Sequence, residues 1–314
     1  MGRTTEAGRR ASSPAALIVN TQSRRGGRLY RHALALLREA RVPLAITAAI
    51  DDPVRLPARV EQAVAAGCDR IMVGGGDGTI SAVLASFVGR PVTLGILPLG
   101  TGNLAAHALG IAGLESAVQA LVSDRSAWID VGQAGDRYFL NSISIGLARA
   151  VDRSVTPSLK RALGSLAYGV AAVRAATWYR PFEVRLTIDG EVISTRAHDV
   201  VATNGRFIGP GLLAGPDASL DNGRLIVFTL GGGTRRQLLR QSLDIALGRP
   251  GADPELHYHA ARRVGIVTDP PEVVAADGEL IGHTPVLAEV HRGALRAFVG
   301  SEYLETCGRT NWRG

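Results

Sequence analysis

The chain has 314 residues, 46% of them hydrophobic and 20% charged, with a formal net charge of +7. That length accommodates two ordinary domains, each with its own core, and the composition excludes a disordered chain. No apolar run reaches the roughly 18 residues that a membrane-spanning helix needs. The two distant cysteines, Cys68 and Cys307, exclude a disulfide framework and fit a reducing cytoplasm.

Residues 1–13 are polar, carry Arg3, Arg9 and Arg10, and read as a loose N-terminal tail rather than a secretory signal. From residue 14 to about 135, strands and helices alternate. AALIVN (15–20) is a short apolar strand, and Leu29, Ala33, Leu36, Leu37 and Ala40 repeat with helical period. PLAITAAI (43–50) predicts a second strand, 57–66 a helix stopped by Gly67, RIMVG a third strand, 79–88 a helix and TLGILP (93–98) a fourth strand. Such units with short glycine-containing connections argue for an open parallel sheet flanked by helices.

Beyond about residue 135 the texture changes to short alternating segments: YFLNSISIG (138–146), FEVRLTI (182–188), RLIVFTL (224–230), RVGIVT (263–268), PVLAEV (285–290) and LRAFVG (295–300). These predict a mostly antiparallel, β-sandwich-like domain over 136–303, its last strands open to returning to the first domain, with helices near 158–178 and 234–247. The 158–178 stretch sets Leu159, Leu163, Leu166, Ala167 and Val170 against Lys160, Arg161 and Arg174, and is read as a core-packing helix in preference to a membrane-docking one. Gly231-Gly232-Gly233 reads as a loop.

The positive charge suggests an acidic partner: nucleic acid, an anionic membrane surface or a polyphosphate. The basic groups at Arg24-Arg25-Arg28, Lys160-Arg161 and Arg235-Arg236-Arg240 lack aromatic interleaving or a nucleic-acid module, which disfavours nucleic acid.

The segment VGGGDGTISAVLASF (73–87) combines an apolar strand, a glycine-dense turn and a helix. Backbone N–H groups at such a turn, with the helix dipole behind them, can hold phosphate without a lysine, and this chain has a single one, Lys160. Asp77 is out of place beside an anion. It reads either as a Mg²⁺-linked or substrate-orienting carboxylate or as part of a tight Asp-Gly turn with no ligand. GILPLGTGNLAAHALGI (95–111) repeats the strand–glycine–helix logic about 25 residues later, and both turns open at the carboxyl edge of a parallel sheet, where such sheets bind ligands. Neither has the spacing of a dinucleotide fingerprint or a P-loop.

GGGDGT (74–79), PLGTGN (98–103), IDVG (129–132), YFLNSISIG (138–146), NGRFIGPG with GPDASLDNGRL (204–225) and DGE (277–279) together resemble, in order and over nearly the whole length, the diacylglycerol kinase catalytic family. That family includes bacterial lipid kinases and, more distantly, sphingosine and ceramide kinases. The resemblance implies ATP at the glycine loops, a nucleotide cleft between two domains, a lipid-accepting β-rich domain, and Mg²⁺-dependent transfer of the γ-phosphoryl group to a lipid hydroxyl such as that of diacylglycerol. By residue, it implies nucleotide binding by Gly75, Gly76, Gly78 and Thr79, with Asp77 of the same turn as a catalytic carboxylate, by Thr101 and Asn103, by Asn20 at the end of the first strand, and by Thr47 near the end of the second. It makes Glu279 the general base, against the alternative that Asp277-Gly278-Glu279 is only a hairpin turn. It makes Asp221 a ligand of a structural Mg²⁺. The chain departs from the family pattern at Thr21, Leu104 and Asn222.

The implied enzyme is cytoplasmic and peripheral to the inner membrane, visiting an anionic bilayer transiently; a homodimer is left open. The competing readings are an NAD kinase, whose superfamily shares the Gly-Gly-Asp-Gly turn, and a non-catalytic lipid- or nucleotide-binding regulator on the same scaffold. His257 and His259 alternate along an expected strand but lack a cysteine or carboxylate at ligand spacing, and no Gly-x-Ser-x-Gly elbow exists.

Overall fold

The computed structural model describes residues 14–22, 26–146, 180–209, 212–214, 218–232, 234–246 and 258–303. The chain divides into two compact units, one of residues 1–129 with 292–314 and one of residues 130–291. The expected helix at 158–178, His257, Gly233 and the N-terminal tail lie outside the described residues.

The first unit begins with β1 (Ala15–Asn20), α1 (Gly26–Glu39), β2 (Leu44–Ile50), α2 (Leu56–Ala65) and β3 (Arg70–Gly75). It continues with α3 (Asp77–Val83), β4 (Thr93–Pro98), α4 (Leu104–Ala108), α5 (Leu114–Val122) and the start of β5 (Ser126–Ala134). The strands pair in parallel in the order β2-β1-β3-β4. Ala15 to Val19 and Ile71 to Val73 are wholly buried, the mark of strands covered on both faces, whereas β2 alternates and forms the edge. Helix faces complete this core: Ala33 and Leu37 on α1, and Leu56, Val60 and Ala63 on α2, recur at the spacing that lines one side of a helix.

The second unit contains the end of β5, then β6 (Arg137–Phe139), β7 (Ser142–Gly146), β8 (Phe182–Ile188), β9 (Glu191–Ala197) and β10 (Asp199–Thr203). There follow β11 (Phe207–Gly209), β12 (Leu212–Leu213), β13 (Leu225–Leu230), α6 (Arg235–Ala246), β14 (His259–Ala261) and β15 (Arg263–Asp269). Last come β16 (Val273–Ala276), β17 (Glu279–His283) and β18 (Val286–Phe298), which starts in this unit and ends in the first. Six strands form an antiparallel sheet in the order β14-β13-β10-β7-β16-β17. One face of it packs Ile143, Ile145, Val200 and Val227 against Val184, Leu186, Val264 and Ile266 of the antiparallel β8 and β15. The opposite face gathers Val201, Ile226, Phe228 and Leu230 beneath Leu238 of α6.

Three predicted elements differ in extent. The expected helix at 79–88 begins at Asp77 and gives way after Val83 to a 3₁₀ turn, Leu84–Ser86. The run 138–146 is broken into β6 and β7, because Leu140 and Asn141 direct their backbone N–H groups to a carboxylate instead of a ladder. The two strands expected at 285–290 and 295–300 are one, β18; the polar His-Arg-Gly in the middle reads as a turn, yet the chain stays extended through it, with Gly293 alone at φ +52°. In the first unit, Arg296 and Ala297 of β18 pair in parallel with Thr93 and Leu94 of β4.

Leu238 is the fully buried apolar anchor of α6. Leu238→Ala is expected to cost about 2–5 kcal/mol and to speed amide hydrogen exchange along α6 more than along β1 or β3.

Candidate functional site

The two glycine turns of the first unit start side by side, because Gly75 at the end of β3 is in register with Pro98 at the end of β4. Leu99 N–H donates to the Gly75 carbonyl at 3.0 Å. Beyond that bond the main chains nearly touch: a methyl group on Gly100 would lie 2.5 Å from the Gly76 Cα, and one on Gly76 would lie 3.3 Å from the Gly100 Cα. No side chain fits between them.

Polar side chains lock this contact. Asn103, in the left-handed region at φ 52°, accepts from Gly100 N–H at 2.8 Å and donates to the Gly100 carbonyl at 3.0 Å, closing its own turn. Asp77 is the first residue of α3, not a loop residue, and its Oδ1 accepts the Ala105 N–H of α4 at 3.1 Å. A carboxylate at that place offsets the positive end of α4 while tying one turn to the other. Asn20, at the end of β1, donates from Nδ2 to Thr79 Oγ1 at 3.0 Å and accepts Gln22 N–H on Oδ1 at 3.1 Å. Thr79 itself is buried, and accepting from Asn20 leaves its hydroxyl proton available to another acceptor.

Asn20, Gly75, Gly76, Asp77, Gly78, Thr79 and Asn103 are therefore gathered at one sheet edge, with exposed Thr101 at the tip of the second turn. Thr47 is not. It pairs with Leu17 in the middle of β2, while Asn20 pairs with Ile50, so Thr47 sits three residues back along an exposed edge strand, about 10 Å from that level. No side chain caps α3, and the N–H groups of Asp77 and Gly78 have no intrahelical acceptor, as at any helix start. The turn thus presents backbone donors, a hydroxyl and a passage too narrow for a Cβ, which suits phosphate oxygens.

In the second unit the family-like motifs converge on a buried polar knot. Asn204 donates from Nδ2 to the carbonyls of Asp130, at 2.9 Å, and Leu140, at 3.0 Å, and its N–H donates to the Asn141 carbonyl at 2.7 Å. Asp130 accepts Gly223 N–H on Oδ2 at 2.6 Å and donates its own N–H to the Leu220 carbonyl at 2.6 Å. Thr203 Oγ1 lies within hydrogen-bond distance of the Asn141 and Gly205 carbonyls. Asp130, Asn141, Thr203 and Asn204 are at most 3% exposed.

The Asp277-Gly278-Glu279 turn hangs from this knot. Asp277 and Gly278 both have positive φ, 46° and 86°, and close the tight β16–β17 hairpin. The Asp277 carboxylate accepts three successive main-chain donors, Leu140 at 2.7 Å, Asn141 at 2.9 Å and Ser142 at 3.0 Å. Glu279 follows at the first position of β17, paired with Ala276 and exposed. The hairpin reading holds for Asp277 and Gly278, and it leaves Glu279 as the projecting carboxylate on a fixed base. The anchoring role of Asp277 and the knot around Asp130, Asn141 and Asn204 are not predicted by the sequence reading; the one hint is that each belongs to a motif carrying the resemblance.

Asp221 is exposed and accepts a bond from Ser219 Oγ. Among the described residues no three His, Cys, Asp or Glu side chains are grouped to hold a metal, at Asp221 or elsewhere. Nor is any described helix long and apolar enough to cross a membrane.

The diacylglycerol kinase catalytic domain model matches residues 14–134, and the YegS C-terminal NAD kinase beta sandwich-like domain model matches residues 141–299. The chain is 31% identical to the diacylglycerol kinase of Bacillus subtilis over 69% of its own length and 73% of that protein. It is 30% identical to a protein of Chromohalobacter salexigens named "Probable lipid kinase YegS-like", over 84% of this chain and 86% of the relative. Its fold superposes on the crystal structure of a diacylglycerol kinase from Bacillus anthracis with a TM-score of 0.77 at 24% identity, covering 92% of this chain and 98% of the other. With two family models matched in tandem and these relatives aligned over most of their length, the chain belongs to the diacylglycerol kinase catalytic-domain family of lipid kinases.

Proposed function

We propose that this protein transfers the γ-phosphoryl group of ATP to the hydroxyl of diacylglycerol or a related lipid alcohol. The observation that carries the reading is the Gly76–Gly100 contact, which aligns two strand–glycine–helix turns into one backbone cradle at the carboxyl ends of β3 and β4. Phosphoryl transfer asks for positioning and charge neutralisation more than covalent help. The N–H groups at the start of α3 and the Thr79 hydroxyl would hold phosphate oxygens, and Asn20 orients Thr79. Asp77 and Asn103 act mainly by keeping the two turns together, with Thr101 free to reach the nucleotide from the tip.

The donor set also fits a divalent ion of the Mg²⁺ type. Asp77 supplies the carboxylate of the two turns, and with Oδ1 engaged by Ala105, the metal would draw most of its ligands from phosphate oxygens and water. Such an ion, when bound, neutralises charge between the phosphates. Glu279 is assigned the acceptor's proton: the lipid oxygen bonds to the γ-phosphorus, the bond from that phosphorus to the bridging oxygen breaks, ADP leaves, and the carboxylate takes the hydroxyl proton late. Asp277, clasped by three backbone donors, keeps Glu279 on a rigid hairpin.

The deciding assay gives purified protein Mg²⁺ and γ-labelled ATP with diacylglycerol, a sphingoid base, ceramide and NAD in parallel. Label in a lipid extract is the expected result; label in NAD alone, or none with ATP bound, would replace the reading by a nucleotide kinase or a regulator. Gly100→Ala forces the turns apart and is expected to lower affinity for a fluorescent ATP analogue about tenfold or more, with far-UV circular dichroism unchanged. Glu279→Gln is expected to reduce kcat by about 100- to 10,000-fold while ATP affinity stays within twofold or so; a matching loss of nucleotide binding would remove Glu279 from the base role.

A further inference from the structure

We propose that α6 is a docking helix through which this protein settles on an anionic bilayer, an inference that rests on the lipid-acceptor reading above. The helix has two sides of different character. Its inner side is fixed: Leu238 is fully buried on the six-stranded sheet, and the nearly buried Gln241 accepts Gly231 N–H on Oε1 at 2.7 Å. Its outer side carries Arg236, Leu239, Arg240 and Leu243, at the i, i+3, i+4 and i+7 positions that form a single stripe along a helix. All four are exposed, and Leu239 and Leu243, at 37% and 59%, are among the large apolar side chains most open to solvent. Neither Arg236 nor Arg240 has an ion-pair partner among the described residues. Asp244, half-exposed in the last turn, is the sole acidic residue of the helix, against Arg235, Arg236 and Arg240.

Two leucines interleaved with two unpaired guanidiniums fit a surface that is negatively charged at its rim and apolar just beneath, which is the boundary of an anionic membrane. A nucleic acid would leave the leucines unused.

The test is flotation of the full-length chain with phosphatidylcholine vesicles, with and without phosphatidylglycerol, in the absence of ATP. Wild type is expected to partition to the anionic vesicles. Arg236→Gln with Arg240→Gln is expected to weaken that partitioning about 25-fold, from roughly fivefold per arginine; Arg236→Lys with Arg240→Lys restores it. Leu239→Ser with Leu243→Ser weakens it several-fold, with the melting profile unchanged because all four residues are exposed. Unaltered partitioning in both the Gln and the Ser double variants overturns the proposal. So does a loss of self-association in light scattering with vesicle binding intact, which would make the stripe a contact between copies of this chain. Since binding is read without turnover, failure of the labelled-ATP assay and failure of this test are separate results.

Discussion

The contact between Gly76 and Gly100 governs the first unit's candidate site, because it is there that two separate strand–helix turns become one surface. Main-chain atoms at van der Waals distance leave room for neither side chain, and the surrounding bonds serve that approach. Leu99 donates to Gly75, Asp77 receives Ala105, and Asn103 closes on Gly100. A lysine would supply a point charge at the end of a flexible stem; two helix starts held against each other supply fixed dipoles instead. Such an arrangement offers main-chain donors to an anion in a chain that has one lysine. Within it, Asp77 and Asn103 hold the two turns in place.

The second unit shows the same principle with different chemistry. There the motifs are far apart in sequence and meet through buried side chains and main-chain groups. Asn141 Oδ1 and Asn204 Oδ1 have no hydrogen-bond partner among the described residues, while the Asn204 amide nitrogen and the Asp130 and Asp277 carboxylates bond to main-chain groups and tie the segments at 130, 141, 204, 223 and 277 into one network. Its exposed product is a single carboxylate, Glu279, on a two-residue turn.

Most of the fold was legible because it rests on local pattern. Apolar runs marked β1, β3 and β4, and helical spacing marked α1 and α2 to within a few residues. What escaped was non-local. The Asp277 carboxylate finds its donors 135 to 137 residues away and the Asn20 amide finds Thr79 59 residues away, distances over which spacing conveys nothing. Asp-Gly in the first glycine turn resembled a loop because the same dipeptide opens hairpins, whereas here it opens a helix. Thr47 could not be placed because an edge strand alternates all along its length and gives no marker of its end. His291-Arg292-Gly293 had the composition of a turn, yet Gly293 absorbs the irregularity and β18 runs on.

The passage of β18 from one unit into the other has a consequence for biogenesis. The first unit's sheet receives Arg296 and Ala297 beside β4, some two hundred residues after β4 is made. During translation the first unit's sheet must wait, with one edge of β4 open, until residues 296 and 297 have left the ribosome. The first unit is assembled from two separated stretches of the gene with the whole of the second inserted between them, so a stop codon placed before residue 296 would leave the β4 edge without its partner.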